Sequence, residues 1–137
     1  MYGTGRGVNQ DITEAVRWYR LAAEQGEPAA QSNLGVMYST GEGVPENDAE
    51  AVRWYRLAAE KGYSIAQGNL GAMYATGEGV PADDTTAHMW MNIAGANGLE
   101  AARKDREKLE QRMTRDEISQ AQDAARTCMS SGYTDCR

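Results

Sequence analysis

The chain has 137 residues, of which 41% are hydrophobic and 25% charged, a length and balance that suit one globular domain with its own core. Its net charge is −6 and its pI about 4.8. That argues against a nucleic-acid surface, which needs a basic face for the phosphates, and against docking on an anionic membrane. No apolar run approaches the roughly 20 residues of a membrane span. The first residues, MYGTGRGVNQ, lack the basic start and apolar stretch of a signal peptide, although one removed from a longer precursor would leave no trace.

Self-similarity organises the chain. EAVRWYRLAAE at Glu14–Glu24 recurs unchanged at Glu50–Glu60, a period of 36 residues. Tyr2, Tyr38 and Tyr74 keep that interval, as do Gly5, Gly41 and Gly77, and Gly26, Gly62 and Gly98. A degenerate third copy, HMWMNIAGANG, covers His88–Gly98. Each period splits into a long and a short helix. In chain order the predicted helices cover about residues 11–25, 29–40, 47–61, 65–76, 83–97, 100–112 and 115–130.

Asp11 is the expected N-cap of the first long helix, as are Asn47 and Asp83 of the next two. Glu14 and Glu50, three residues on, suggest capping boxes. Ile12, Val16 and Tyr19 lie on the apolar face of the first helix, whose covering short helix is nearly absent because the chain starts at the counterpart of Met37-Tyr38. Pro28 suits the first turn of the first complete short helix. Gly35 and Gly71 inside the short helices cost about 1 kcal/mol each in propensity, so a neighbouring helix is expected to approach closely there. G-E-G-V-P at Gly41–Pro45 and Gly77–Pro81 separates the helices, with glycines for positive φ and a proline as the stop. Gly26, Gly62 and Gly98 fit the left-handed position past a helix end. Residues 99–130 break the repeat. Thr114 and Glu117 form a capping box, and Ile118, Ala121, Ala125 and Cys128 share one face. These last two helices read as a cap over the third copy, in which Arg53 and Arg56 have become Met89 and Asn92. Tyr19, Leu34, Tyr38, Tyr55, Leu70, Tyr74 and Trp90 are the expected core. The whole is an all-α, right-handed solenoid in one repeat domain: a partial repeat over 1–26, repeats over 29–62 and 65–98, capping helices over 99–130 and a tail over 131–137.

NLGVMYSTGEGVPENDAEAVRWYRLAAEKG (Asn33–Gly62) and NLGAMYATGEGVPADDTTAHMWMNIAGANG (Asn69–Gly98) resemble the Sel-1-like repeat family of tetratricopeptide-like α-solenoids. The Leu-Gly, Tyr, Gly-x-Gly-Val, Ala-x-x-Trp and Ala-Ala positions carry the resemblance over residues 1–98. It implies protein–protein interaction and scaffolding, and no shared catalytic residues.

Candidate chemistry is thin. The Gly-x-Gly loops have a Glu between the glycines, no preceding strand and no following Lys, so they read as turns and not phosphate cradles. His88, the one histidine, sits in the slot of Val16 and Val52 and reads as structural. The aromatic series Trp18, Tyr19, Trp54, Tyr55 and Trp90 has helical spacing in an acidic chain, so it reads as core and not a base-stacking platform. Arg17, Arg20, Arg53 and Arg56 form a repeated ridge. Its plain reading is a solvated face of Arg20–Glu24 and Arg56–Glu60 pairs, and its sharper reading a carboxylate-binding ladder. Glu46, Asp48, Asp83 and Asp84 lack the spacing of a calcium loop. Cys128 and Cys136 read as a disulfide, since nothing else would order a tail rich in Ser, Gly and Thr; the other reading is two free thiols in a cytosolic protein. No metal or cofactor is expected. The leading function is a protein- or peptide-binding adaptor in the periplasm or outside the cell. An envelope hydrolase and a structural or regulatory part of a longer repeat protein are the alternatives. An uncovered Ile12, Val16 and Tyr19 would favour a homodimer through the N-terminal helices, unless further repeats in a longer protein cover the same face.

Overall fold

A computed structural model describes the backbone of residues 5–136 and the side chains of residues 11–136; the repeat position Tyr2 lies outside the described residues. Seven helices and no strand make up the described chain: α1 (Gly5–Glu24), α2 (Pro28–Thr40), α3 (Asp48–Ala59), α4 (Ser64–Thr76), α5 (Asp84–Ala96), α6 (Glu100–Glu110) and α7 (Arg115–Ser130). From α1 to α6 each helix packs on the next in sequence, and α7 returns onto α5. The all-helical solenoid expected from the period is present.

The junctions repeat as the sequence does. The backbone N–H groups of Glu27, Tyr63 and Leu99 donate to the carbonyls of Ala22, Ala58 and Ala94, 36 residues apart. Gly26, Gly62 and Gly98 beside them have φ of 93°, 86° and 100°, the left-handed region in which a Cβ is strained. At the other end of each period, the Gly41 and Gly77 N–H groups close the short helices on Met37 and Met73.

Local differences from the expected elements have physical causes. The first long helix begins at Gly5, not Asp11, so Asp11 is an interior residue and caps nothing. The counterpart of Pro45 and Pro81 is Asn9, which keeps its N–H and lets the helix run through the former turn. Asn47 and Asp83 do cap, accepting from the Glu50 and Thr86 N–H groups at 3.1 Å. The reciprocal half of the box is missing at Asn47, whose N–H donates to the Tyr38 carbonyl while Glu50 pairs with Arg53. At Thr114 both halves are present.

Core packing follows the register. Leu34, Leu70 and Trp90 are fully buried, and the Tyr55 ring lies against Gly35, where an added Cβ would sit 2.6 Å from it. Tyr38 and Tyr74, expected in the core, are half-buried because their hydroxyls reach the surface and accept from Arg20 and Arg56 at 2.7 and 2.6 Å; Tyr19 is half-buried too. The aromatic series divides. Trp90 is 0% and Trp54 5% exposed, but Trp18 is 64% exposed. Trp54 fills a slot made by Ala23, Ala30 and Leu34 of the unit before it. Trp90 fills the corresponding slot made by Ala59, Ala66 and Leu70. No helix precedes α1 among the described residues to form that slot for Trp18.

The break after residue 98 is one of sequence more than structure. Gln31 and Gln67 donate from Nε2 to the carbonyls of Ala23 and Ala59, and Arg103 donates from Nε to Gly95 at 3.1 Å, each 36 residues after the last. Ala102 is buried like Ala30 and Ala66. The α6 helix is therefore a third short helix in register, held by the same tether with a different side chain. A four-residue turn then brings in α7, whose Ala125 and Cys128 cover Met89, Trp90 and Ile93.

Beyond α7 the tail folds back. A disulfide joins Cys128 and Cys136. Tyr133, at φ 68°, packs on Gly62, and its hydroxyl accepts from Asn97 Nδ2, which also donates to buried Gln67. By the loop-entropy argument, Cys136→Ser should cost about 2–3 kcal/mol in urea unfolding, with no change when reductant is added to the variant. Wild-type protein unaffected by reductant would show that the bond does not hold this tail.

Candidate functional site

The outward positions of the three short helices form one face. They read Asn33, Val36 and Thr40 on α2, Asn69, Ala72 and Thr76 on α4, and Asp105, Lys108 and Arg112 on and just after α6, each set 36 residues from the last. All are exposed except half-buried Asn69. The face is uncharged on α2 and α4 and charged only along α6, in a chain of net charge −6.

Between α4 and α6 this face opens into a groove of about 300 Å³ lined by Ala72, Ala75, Thr76, Met91, Asp105, Lys108, Leu109 and Arg112. Met91 and Leu109 form its floor and are buried. Arg112 locks one end: its guanidinium donates to both Asp84 carboxylate oxygens at 2.9 and 3.1 Å and to the Ala75 carbonyl at 2.9 Å. The hydrogen bonds to Asp84 hold the Arg112 group above its ordinary pKa. Lys108 has no side-chain partner among the described residues and is exposed at the rim. Sequence reasoning missed this groove because α6 is where the repeat consensus fades.

The four ridge arginines separate into two kinds. Arg20 and Arg56 do not pair at i, i+4; each reaches 18 residues on, to Tyr38 and Tyr74. The bond to Tyr38 is also the main reason the Arg20 guanidinium lies above its ordinary pKa. Both are inter-helix struts, because a half-buried phenol offers a better-placed acceptor than an exposed Glu. Arg17 and Arg53 stay on the surface, paired with Glu14 and Glu50 at i, i−3, and Arg53 also stacks over Trp54.

The anticipated N-terminal face also shifts. Val16 is 7% exposed and Ile12 and Tyr19 are half-buried, under α2 and the loop after it, where Gly43 lies against Ile12 and Val16. That loop covers them on the described side of α1. Among the described side chains of α1, the large apolar ones left outside are Trp18 and Leu21.

His88 is fully buried, with Nε2 2.7 Å from Glu110 Oε2 and Nδ1 without a partner. Arg106 joins Glu110 at 3.7 Å and donates to Asn92 at 3.1 Å. Asn92 and Glu110 stand at the counterparts of Arg56 and Tyr74, so this cluster replaces the strut of the earlier units. Asp83 caps α5, and Asp84 takes Arg112. Among the described residues, no group of His, Cys, Asp and Glu is placed to hold a metal ion, and no helix is long and apolar enough to cross a membrane.

With this geometry in view, the likeness to known proteins is direct. The Sel1 repeat pattern matches residues 1–27, 28–63 and 64–99. The chain belongs to the Sel1 repeat family. Among solved structures, a protective antigen of uropathogenic Escherichia coli with an SLR fold is 34% identical, with a TM-score of 0.84 over 88% of this chain and 27% of that one. A Sel1 repeat protein of Oxalobacter formigenes is 38% identical, with a TM-score of 0.66 over 69% of this chain and 39% of that one. The Sel1 chain described here thus spans about a quarter to two-fifths of the length of these relatives. No curated protein matches it.

Proposed function

We propose that this Sel1 module is a binding scaffold, without catalysis of its own, that holds a protein segment along the face of its short helices. The observation that carries the reading is the groove between α4 and α6, which has an apolar floor and a charged α6 edge on which Lys108 is unpaired among the described residues. Concave sites with an apolar floor and a few polar groups at the rim are where ligands bind, and solenoids build extended surfaces of this kind from repetition. The hydrolase alternative is less well supported, since a general base must reach substrate or water and the His88 ring is sealed in the core. The disulfide supports an oxidising compartment, periplasmic or extracellular. A photo-crosslinking residue at Ala72 should capture a partner in cells, and one at Gln122, on the polar outer face of α7, should not. Equal capture at both sites, or none at Ala72, would remove the groove from the binding surface.

A second reading, association at the N-terminal end, is favoured by the 64% exposure of Trp18 beside exposed Leu21. If the isolated chain forms a homodimer there, light scattering should show twice the monomer mass, and Trp18→Glu should restore the monomer. A wild-type monomer at high concentration would end that reading.

A further inference from the structure

We propose that the groove between α4 and α6 binds an extended peptide through an apolar side chain followed by a carboxylate, the side chain entering the groove and the carboxylate pairing with Lys108. This rests on the scaffold reading and adds the chemistry of the ligand.

Three of the positions that line the groove have become smaller or thinner than their counterparts one repeat earlier. One unit earlier, the corresponding positions are Tyr55, Val36 and Ser39. The Tyr55 ring lies on Gly35, and Ser39 offers a hydroxyl near its phenol end. Thirty-six residues on, these positions are Met91, Ala72 and Ala75. Met91 lies over Gly71, with its Cγ 3.0 Å from where a Cβ would be. Each replacement is thinner or shorter than the residue one repeat earlier, which leaves room above Met91 between α4 and α6.

The lining decides what fits. With Ala75 in place of Ser39, that wall offers no hydroxyl. The Thr76 hydroxyl proton is already used locally, donated to Glu78 at 2.8 Å or to the Ala72 carbonyl at 3.1 Å. The floor, Met91 and Leu109, and the wall of Ala72 and Ala75 present only apolar side chains, so a polar group seated against them would lose its water without gaining a partner there, and an apolar side chain is selected. The rim decides what lies beside it. The α4 edge carries no charge, and Lys108 and Arg112 follow one another along the α6 edge. Arg112 is held in place by Asp84, which leaves Lys108 as the cation able to turn to a ligand carboxylate. Asp105, one turn earlier on the same edge, repels a carboxylate and so fixes the peptide's direction.

The test is an amide-detected NMR titration of the whole chain with acetyl-Gly-Leu-Glu-Gly-amide as the probe. Saturable shifts should appear at Ala72, Ala75, Thr76 and Lys108. Replacing the probe's Leu by Ser should weaken binding by roughly tenfold, the ordinary discrimination of an apolar pocket. Replacing its Glu by Lys should weaken binding to the wild type, and Lys108→Glu should reverse that preference. Met91→Tyr restores the residue that the preceding repeat uses; it should abolish the shifts at Ala72 and Ala75 with the melting temperature kept. No saturable shifts in the groove, shifts that ignore the Leu-to-Ser change, or binding unaltered in a folded Met91→Tyr would each overturn the proposal. If Ala72 crosslinks a partner in cells but the peptide fails, the ligand class falls and the scaffold reading stands; if both fail, both fall.

Discussion

Trp54→Ala should destabilise the protein by about 3–5 kcal/mol, the usual cost of emptying a large aromatic site, while Trp18→Ala, at the same repeat position, should cost less than about 0.5 kcal/mol, as surface changes do. The identical local sequence EAVRWYRLAAE surrounds both, so helix propensity cancels in the comparison. What differs is the slot. Trp54 is enclosed by Ala23, Ala30 and Leu34, with Arg53 over its ring at 4.6 Å, and Trp18 stands in solvent. The Trp54 indole N–H has no partner in its slot, so Trp54→Phe should cost less than the alanine change, because it removes an unpaired donor along with some contact area. Urea unfolding of the three variants measures all of this. Equal losses for Trp18→Ala and Trp54→Ala would show that α1 is covered in solution by something that matches the slot.

Gly79→Ala is the second large effect, expected at about 2–5 kcal/mol from left-handed strain and overpacking together. Gly79 has φ 77°, and a Cβ there would stand 2.5 Å from the Asp48 carbonyl oxygen and 2.7 Å from its carbon. Those atoms are backbone of α3 and cannot rotate away, so relief requires the Gly77–Pro81 loop to lift from the preceding unit. Gly98→Ala is the control. Its φ of 100° is also unfavourable, but nothing lies within 4 Å of its Cβ position, so it should cost about 1–2 kcal/mol from strain alone. Thermal melts of the two variants separate backbone conformation from inter-repeat contact. If Gly79→Ala cost no more than Gly98→Ala, the loop would not be bearing on α3.

Much of the architecture was legible in the sequence because it depends on local chemistry repeated three times. The 36-residue interval located the helix pairs, Asn47 and Asp83 marked their starts, and Gly26, Gly62 and Gly98 marked their ends. Each of these acts through its own backbone or that of residues three or four away, which a linear pattern records. Asp11 failed as a cap because a helix start depends on the residues before it as well. With Asn9 where the other units have proline, nothing stops the turn from winding into helix.

Tertiary structure alone decided the features that depend on neighbours far along the chain. The sequence shows three equivalent tryptophans, and only the stacking of units distinguishes Trp18, for which no slot is formed among the described residues, from Trp54 and Trp90. It shows a ridge of four arginines, and only the approach of the next short helix turns Arg20 and Arg56 inward to Tyr38 and Tyr74. It shows a repeat that ends near residue 98, yet the tether from Arg103 to the Gly95 carbonyl carries the register onward, because a guanidinium can fill the role of an amide in reaching the same carbonyl. The groove over Met91 is the strongest case. Exchanging Tyr for Met, Val for Ala and Ser for Ala reads in sequence as drift within a repeat, and becomes a cavity only when α6 sets the opposite wall at a fixed distance from α4.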